Sequence, residues 1–222
     1  MRVSKIIDAN NHTVGFVTEY PDHAVIEKTV AYGYELNDKL EISKIGRLTV
    51  YLRNGEQHSF DCWVSTIYCG QFGINVSDDG QYIYVISDEK GLWCYTYKGK
   101  IVWKTRYTSV GHIIINENNT ITCITSTKLL VLDKNGKLVN ERKIVQYHAE
   151  KASENMIYVA LTNTTVALID SQTLDILWKS QLKKLGLEKS RYAVVRGANL
   201  EIRGENANGS VQCITVELPN GK

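Results

Sequence analysis

The chain has 222 residues, a length that fits one all-β domain of about 200–250 residues. Its 43% hydrophobic and 23% charged content excludes the disordered and fibrous classes. Twenty-six basic residues against 24 acidic ones leave a formal charge of +2, too little to hold a polyanion or an anionic membrane surface, so direct nucleic-acid or membrane binding is not expected.

The N-terminal stretch MRVSKIIDANNHTVGF has no apolar core of about 7–15 residues, and no run of about 18 apolar residues occurs anywhere. A soluble, cytoplasmic protein is the expectation. The five cysteines agree with it: Cys62, Cys69, Cys94, Cys123 and Cys213 are odd in number and mostly sit in apolar runs such as ITCIT, as reduced core thiols do. Six residues lie between Cys62 and Cys69, which is not the spacing of a zinc knuckle or a redox pair, so no metal is expected.

In chain order, HTVGFVTEYPDHAVIEKTV reads as a hairpin turning at Pro21–Asp22. Residues 39–63 read as three strands with a turn at Asn54–Gly55. Then FGINVSDDG and QYIYVISD lead into the hairpin LWCYTYKGKIVWKTRY (92–107). GHIIINENN and TITCITST lead into LLVLDKNGKLVNERKI (129–144), and YHAEKASEN and MIYVALTN into VALIDSQTLDILWKSQL (166–182). LKKLGLEKS (182–190) is a short helical candidate, followed by the strands RYAVVRG, NLEIRG and SVQCITVEL.

Gly99 and Gly136 are 37 residues apart, as are Asp133 and Asp170. The unit is thus four short strands in roughly 37 residues, joined by Gly-, Asp- and Asn-rich turns, which is the pattern of a propeller blade. Strands such as HIII, YIYVI and LLVL are apolar on both faces, as strands stacked between neighbouring sheets must be. The reading is an all-β fold, a β-propeller of five or six short four-stranded blades in a single domain covering 1–222. At the ends, the first unit lacks an inner strand and the last an outer one. Six trimmed units, or five with one blade closed by strands from both termini, both fit.

No catalytic constellation emerges. His112 and His148 enter successive units 36 residues apart; they read as structural histidines, or as a pair aimed at one mouth of the channel. The acidic pairs in SDDG and SDEKG lack calcium-loop spacing and read as solvated turns. Lys179, Lys183, Lys184, Lys189 and Arg191 form a basic cluster without interleaved stacking aromatics, so a solvated face is favoured over phosphate binding. Trp63, Tyr68, Tyr107, Tyr147 and Tyr192 are placed where an outer strand runs into the next inner one. Tyr and Trp there suit either local packing or a protein interface. Together with His112, His148, Glu150 and Arg191 they form the candidate partner-binding set.

The repeat TVALIDSQTLDILWK resembles the quinoprotein-type propeller repeat through Ala167, Leu168, Asp170, Thr173 and Trp178, although Leu174 stands in place of the turn glycine. YKGKIVWK is similar through Gly99 and Trp103, while the middle unit has Asn140 at the Trp position. VSDDGQYIYVISDEKGLWCYT and the VGH at 110–112 resemble a WD-type repeat. The likeness covers residues 72–182. It implies blade architecture, and no quinone cofactor is carried over, because the chain is too short and has no adjacent cysteine pair.

Stand-alone propellers this small resemble the immunity proteins of bacterial contact-dependent inhibition systems. That resemblance implies a non-catalytic, monomeric protein that binds and neutralises one nuclease toxin encoded nearby. The alternatives are a scaffold subunit of a larger assembly or, less favoured, a small enzyme working at the channel mouth through His112 or His148.

Overall fold

The computed structural model describes residues 1–11, 13–32, 46–62, 73–87, 91–107, 110–145 and 149–218. The chain divides into two compact units, Met1–Gly111 and His112–Lys222. Among the described residues, strands pair antiparallel with their sequence neighbours.

In the first unit, β1 (Arg2–Ile7), β2 (Thr13–Glu19), β3 (Ile26–Tyr32), β4 (Gly46–Leu52) and β5 (Gln57–Cys62) form one five-stranded sheet. The second sheet is β6 (Ile74–Val76), β7 (Tyr82–Ser87), β8 (Gly91–Thr96) and β9 (Ile101–Lys104). Between them lies a core of Ile26, Leu48 and Val50 against Ile83, Val85, Trp93 and Tyr95. Each fully buried aliphatic side chain there contributes roughly 1.5–3 kcal/mol of transfer free energy.

The sheet that opens the second unit is β10 (Val110–Ile115, its first two residues counted with the first unit), β11 (Ile121–Thr125), β12 (Lys128–Leu132) and β13 (Leu138–Lys143). Next come β14 (Ala149–Lys151), β15 (Met156–Thr162), β16 (Thr165–Asp170) and β17 (Ile176–Gln181), then β18 (Lys189–Arg196), β19 (Asn199–Glu205) and β20 (Val211–Glu217). One apolar layer joins Leu129 and Val131 to Ile157, Val159 and Ile169. Another joins Tyr158 and Leu168 to Ala193, Leu200 and Ile202. The middle sheet is therefore covered on both faces at its inner strands, which is why β15 and β16 lack polar alternation.

Two expectations about the ends are corrected. The N-terminal hairpin and the 46–62 strands are not parts of separate trimmed units, because β3 pairs with β4 along Ile26–Tyr32 and β1 adds a further strand on β2. The last sheet lacks its first strand rather than its outer one, and the turns show why. In the two preceding sheets the second and third strands are joined by two residues, as by Asn163–Thr164 between β15 and β16; Gly197–Ala198 joins β18 to β19 in the same way. The wider turn that precedes an outer strand has Asp133 N–H bonded to Lys137 O and Gly136 N–H to Asp133 O. The β19–β20 turn repeats it at Asn206, Ser210 and Gly209. Where a first strand would run, the chain takes a single 3₁₀ turn, Leu182–Leu185. The first and the last described strands thus each lie in a sheet of their own sequence neighbours, and five sheets are present among the described residues.

Candidate functional site

Five of the candidate residues can be placed: Tyr107, His112, Glu150, Arg191 and Tyr192. Trp63, Tyr68, Tyr147 and His148 lie outside the described residues.

Tyr107 follows β9 in the connection toward β10 and is half-buried. Its carbonyl lies so close to Gly91 that a Cβ there would come within 2.3 Å of the oxygen. His112 sits in β10, half-buried, and burial lowers its pKa, so the neutral imidazole is favoured.

Glu150, in β14 and opposite Tyr158 of β15, joins two sheets. Its carboxylate accepts the backbone N–H of Ala193 in β18, and two residues along the same edge Val195 N–H donates to Ala152 O at 2.9 Å. These contacts satisfy β18 donors that a first strand would otherwise take. Burial pushes the Glu150 carboxyl up to about 7, with the Ala193 N–H opposing the shift. The Tyr158 hydroxyl is pushed up to about 12 by burial; Ser190 opposes that shift and the Glu150 charge adds to it. The Tyr158 oxygen makes no well-aligned hydrogen bond. Glu150 can thus carry a proton near neutrality while it caps a strand edge.

Arg191 and Tyr192 lie inside β18, not in a connection between sheets. The same strand position elsewhere is almost wholly buried, as in β7 and β11. Here Tyr192 is 44% exposed, on the face of the last sheet opposite its apolar layer. Arg203, directly across in β19, lies with its guanidinium carbon 5.8 Å from the Tyr192 ring centroid and donates to Tyr192 Oη at 3.3 Å. Arg191 pairs with Glu205, which holds that carboxyl below its ordinary range. Arg196 pairs with Glu201 at 3.2 Å. Sequence reading missed Arg203. The alternation in NLEIRGE was a signal that Glu201, Arg203 and Glu205 share a face, but only the β18–β19 register sets Arg203 against Tyr192.

The remaining polar motifs act locally. Asp79 accepts from Ser77 Oγ at 2.6 Å and from Gln81 N–H at 2.9 Å, closing the SDDG turn; the acidic pair of SDEKG lies outside the described residues. Lys179, Lys183, Lys184 and Lys189 are exposed. Cys62, Cys94 and Cys123 are buried, and burial pushes the Cys94 and Cys123 thiols up to about 12, so they are inert at neutral pH. Cys213 departs from the expected pattern: it is exposed on β20, opposite Arg203. Among the described residues, no group of three or more His, Cys, Asp or Glu is gathered as a metal site requires, and no helix is long and apolar enough to cross a membrane.

No family model matches the sequence, and no curated protein matches it. Solved structures do. BamB from Moraxella catarrhalis is 12% identical with a TM-score of 0.52, over 96% of this chain and 75% of that one. The C-terminal WD40 domain of Sif2 is 11% identical with a TM-score of 0.53, over 96% of this chain and 58% of that one. Dihydro-heme d1 dehydrogenase NirN, in a complex with DHE, is 13% identical with a TM-score of 0.52, over 98% of this chain and 50% of that one. The chain therefore spans between half and three quarters of the length of these proteins. At such identities the likeness shows fold alone, and that fold is the β-propeller.

Proposed function

We propose that this chain is a non-catalytic protein-binding propeller, acting as a monomer in the cytoplasm, that recognises one protein partner. Its finer role is that of an immunity protein, which covers a nuclease toxin encoded beside it and blocks substrate entry. The observation that carries the binding role is the open face of the last sheet, where Arg191 and Tyr192 stand on a strand whose counterparts are buried. Tyr contributes large contact area at low entropic cost and Arg a planar donor fork, and both residue types are enriched among interface anchors. The near-balanced charge of the chain favours steric covering over mimicry of a nucleic acid. The immunity role rests on the repeat type.

The test is co-expression with the protein encoded next to it. The proposal expects a 1:1 complex on size-exclusion chromatography with light scattering, and protection of cells that express the toxin domain. A chain that neither binds nor protects overturns the immunity role. Recovery of a stable multi-subunit assembly in its place moves the reading to a scaffold.

A further inference from the structure

We infer that the exposed face of the last sheet is a receptor for a single protein carboxylate, taken by the Arg203 guanidinium on its Tyr192 platform. This inference rests on the protein-binding role and names the chemistry of the partner. Around Tyr192 the face carries Arg191, Arg196, Arg203 and Lys189, the last opposite Glu205, together with Glu201 and Glu205, and Glu217 stands at its far end opposite Asn199. Glu201 and Glu205 flank Arg203 at two residues on either side, so all three project from one face of β19. Both glutamates are already engaged by other arginines, Glu201 by Arg196 and Glu205 by Arg191. Among the described residues, the one hydrogen-bond partner of Arg203 is the Tyr192 hydroxyl.

A guanidinium has five donors in a planar fork that matches a carboxylate bidentately. Arg203 spends one of them on Tyr192, which also supports the guanidinium through its ring face. The fork is therefore oriented and the charge uncompensated. The flanking glutamates decide between ligand classes. Each is held in an ion pair, so Arg203 stands between them as a single guanidinium without an acidic partner; that suits one carboxylate on an otherwise uncharged segment, whereas a nucleic-acid strand, with a charge at every step, gains from a row of unpaired cations.

The experiment is an NMR titration of the full chain with a blocked Ala–Leu–Glu–Leu–Ala peptide, its Gln counterpart, and a single-stranded oligonucleotide. The expected result is saturable movement of the Arg203 side-chain N–H and Tyr192 ring signals with the Glu peptide, and little with the Gln peptide. Affinity should fall about tenfold in Arg203→Gln, by analogy with loss of a charge-assisted bond. Arg203→Lys should fall between, because it keeps charge but loses the fork, and Lys183→Gln should respond as the parent does. Equal response to both peptides, movement at the lysines with Arg203 silent, stronger response to the oligonucleotide, or no response overturns the inference.

Labelling of Cys213 by a thiol reagent in the free chain, located by peptide mapping, checks that the face is open. An unreactive Cys213 in the folded chain overturns the inference as well. If the partner binds Arg203→Gln as tightly as the parent, the carboxylate receptor fails while the binding role stands. If no protein partner exists, the peptide response is unaffected and the binding role fails alone.

Discussion

Leu174 shows how one side chain can outweigh its backbone. It occupies the turn position where the resembling repeats carry glycine, and it adopts φ of +61°, a left-handed conformation that costs a non-glycine residue about 1–2 kcal/mol. Its side chain is nevertheless 1% exposed, in the layer between the first two sheets of the second unit. Removing a buried Leu side chain costs about 2–5 kcal/mol, so burial wins. Leu174→Gly should lower stability by about 1–3 kcal/mol in a urea melt despite relieving the strain; a more stable variant would mean that strain dominates. Gly99 is the converse. Its φ is +88° and a Cβ would sit 2.4 Å from the Phe60 ring, so Gly99→Ala should cost about 2–4 kcal/mol. An unchanged melting temperature would show that Phe60 yields freely.

Glu150 adds a pH dependence whose sign is fixed. Its folded pKa, about 7, lies above the ordinary 4.5, so the folded state holds a proton that the unfolded chain releases first. The stability from this group is present in full below about pH 4.5 and is lost as pH rises through about 7. Glu150→Gln keeps an oxygen for the Ala193 N–H and removes the titration. The variant should gain on the parent between pH 5 and 8, as read by thermal melts across that window; parallel curves would contradict the burial argument.

At the scale of elements, neighbouring sheets of the second unit are joined by buried polar bonds as well as apolar layers. Asn116, in the β10–β11 turn, donates to Thr120 and Thr122 at 2.9 Å each and accepts from Ser171 Oγ at 2.6 Å. Ser171 belongs to the β16–β17 turn, so one amide ties two sheets. Asn116→Ala leaves several of these groups unpaired and should cost about 2–3 kcal/mol, measured by denaturant unfolding; a cost below about 0.5 kcal/mol would mean that water replaces the amide. Asn140 makes a related substitution at the position where the other two units carry Trp. Trp178 packs into the apolar layer, whereas Asn140 donates to Thr173 O at 2.8 Å. The outer strands β9, β13 and β17 each shift register next to an exposed aliphatic, at Val102, Val139 and Leu177. Such bulges twist an open edge away from further pairing, and Lys104, Lys143 and Lys179 on those strands add charge to it.

For the molecule as a whole, the repeat was legible because three units keep a 37-residue register and carry Gly or Asp at fixed turns. The ends were not, for two physical reasons. β3 and β4 pair across residues 33–45, a connection too long to reveal itself as a hairpin. The first strand of the last sheet is replaced by a 3₁₀ turn, which periodicity alone does not separate from a loop insertion. The candidate surface was half legible. Tyr192 and Arg191 follow from residue chemistry, but Arg203 needed the register that sets it against Tyr192, and the edge-capping role of Glu150 needed contact between two sheets.

The central claim is that the chain works by binding one protein through the open face of its last sheet. Hydrogen–deuterium exchange of the chain, alone and with the product of the neighbouring gene, tests this most directly. The expected result is a 1:1 complex in which protection concentrates on β18–β20 around Tyr192 and Arg203. A stable complex that leaves those strands exchanging as in the free chain would contradict it.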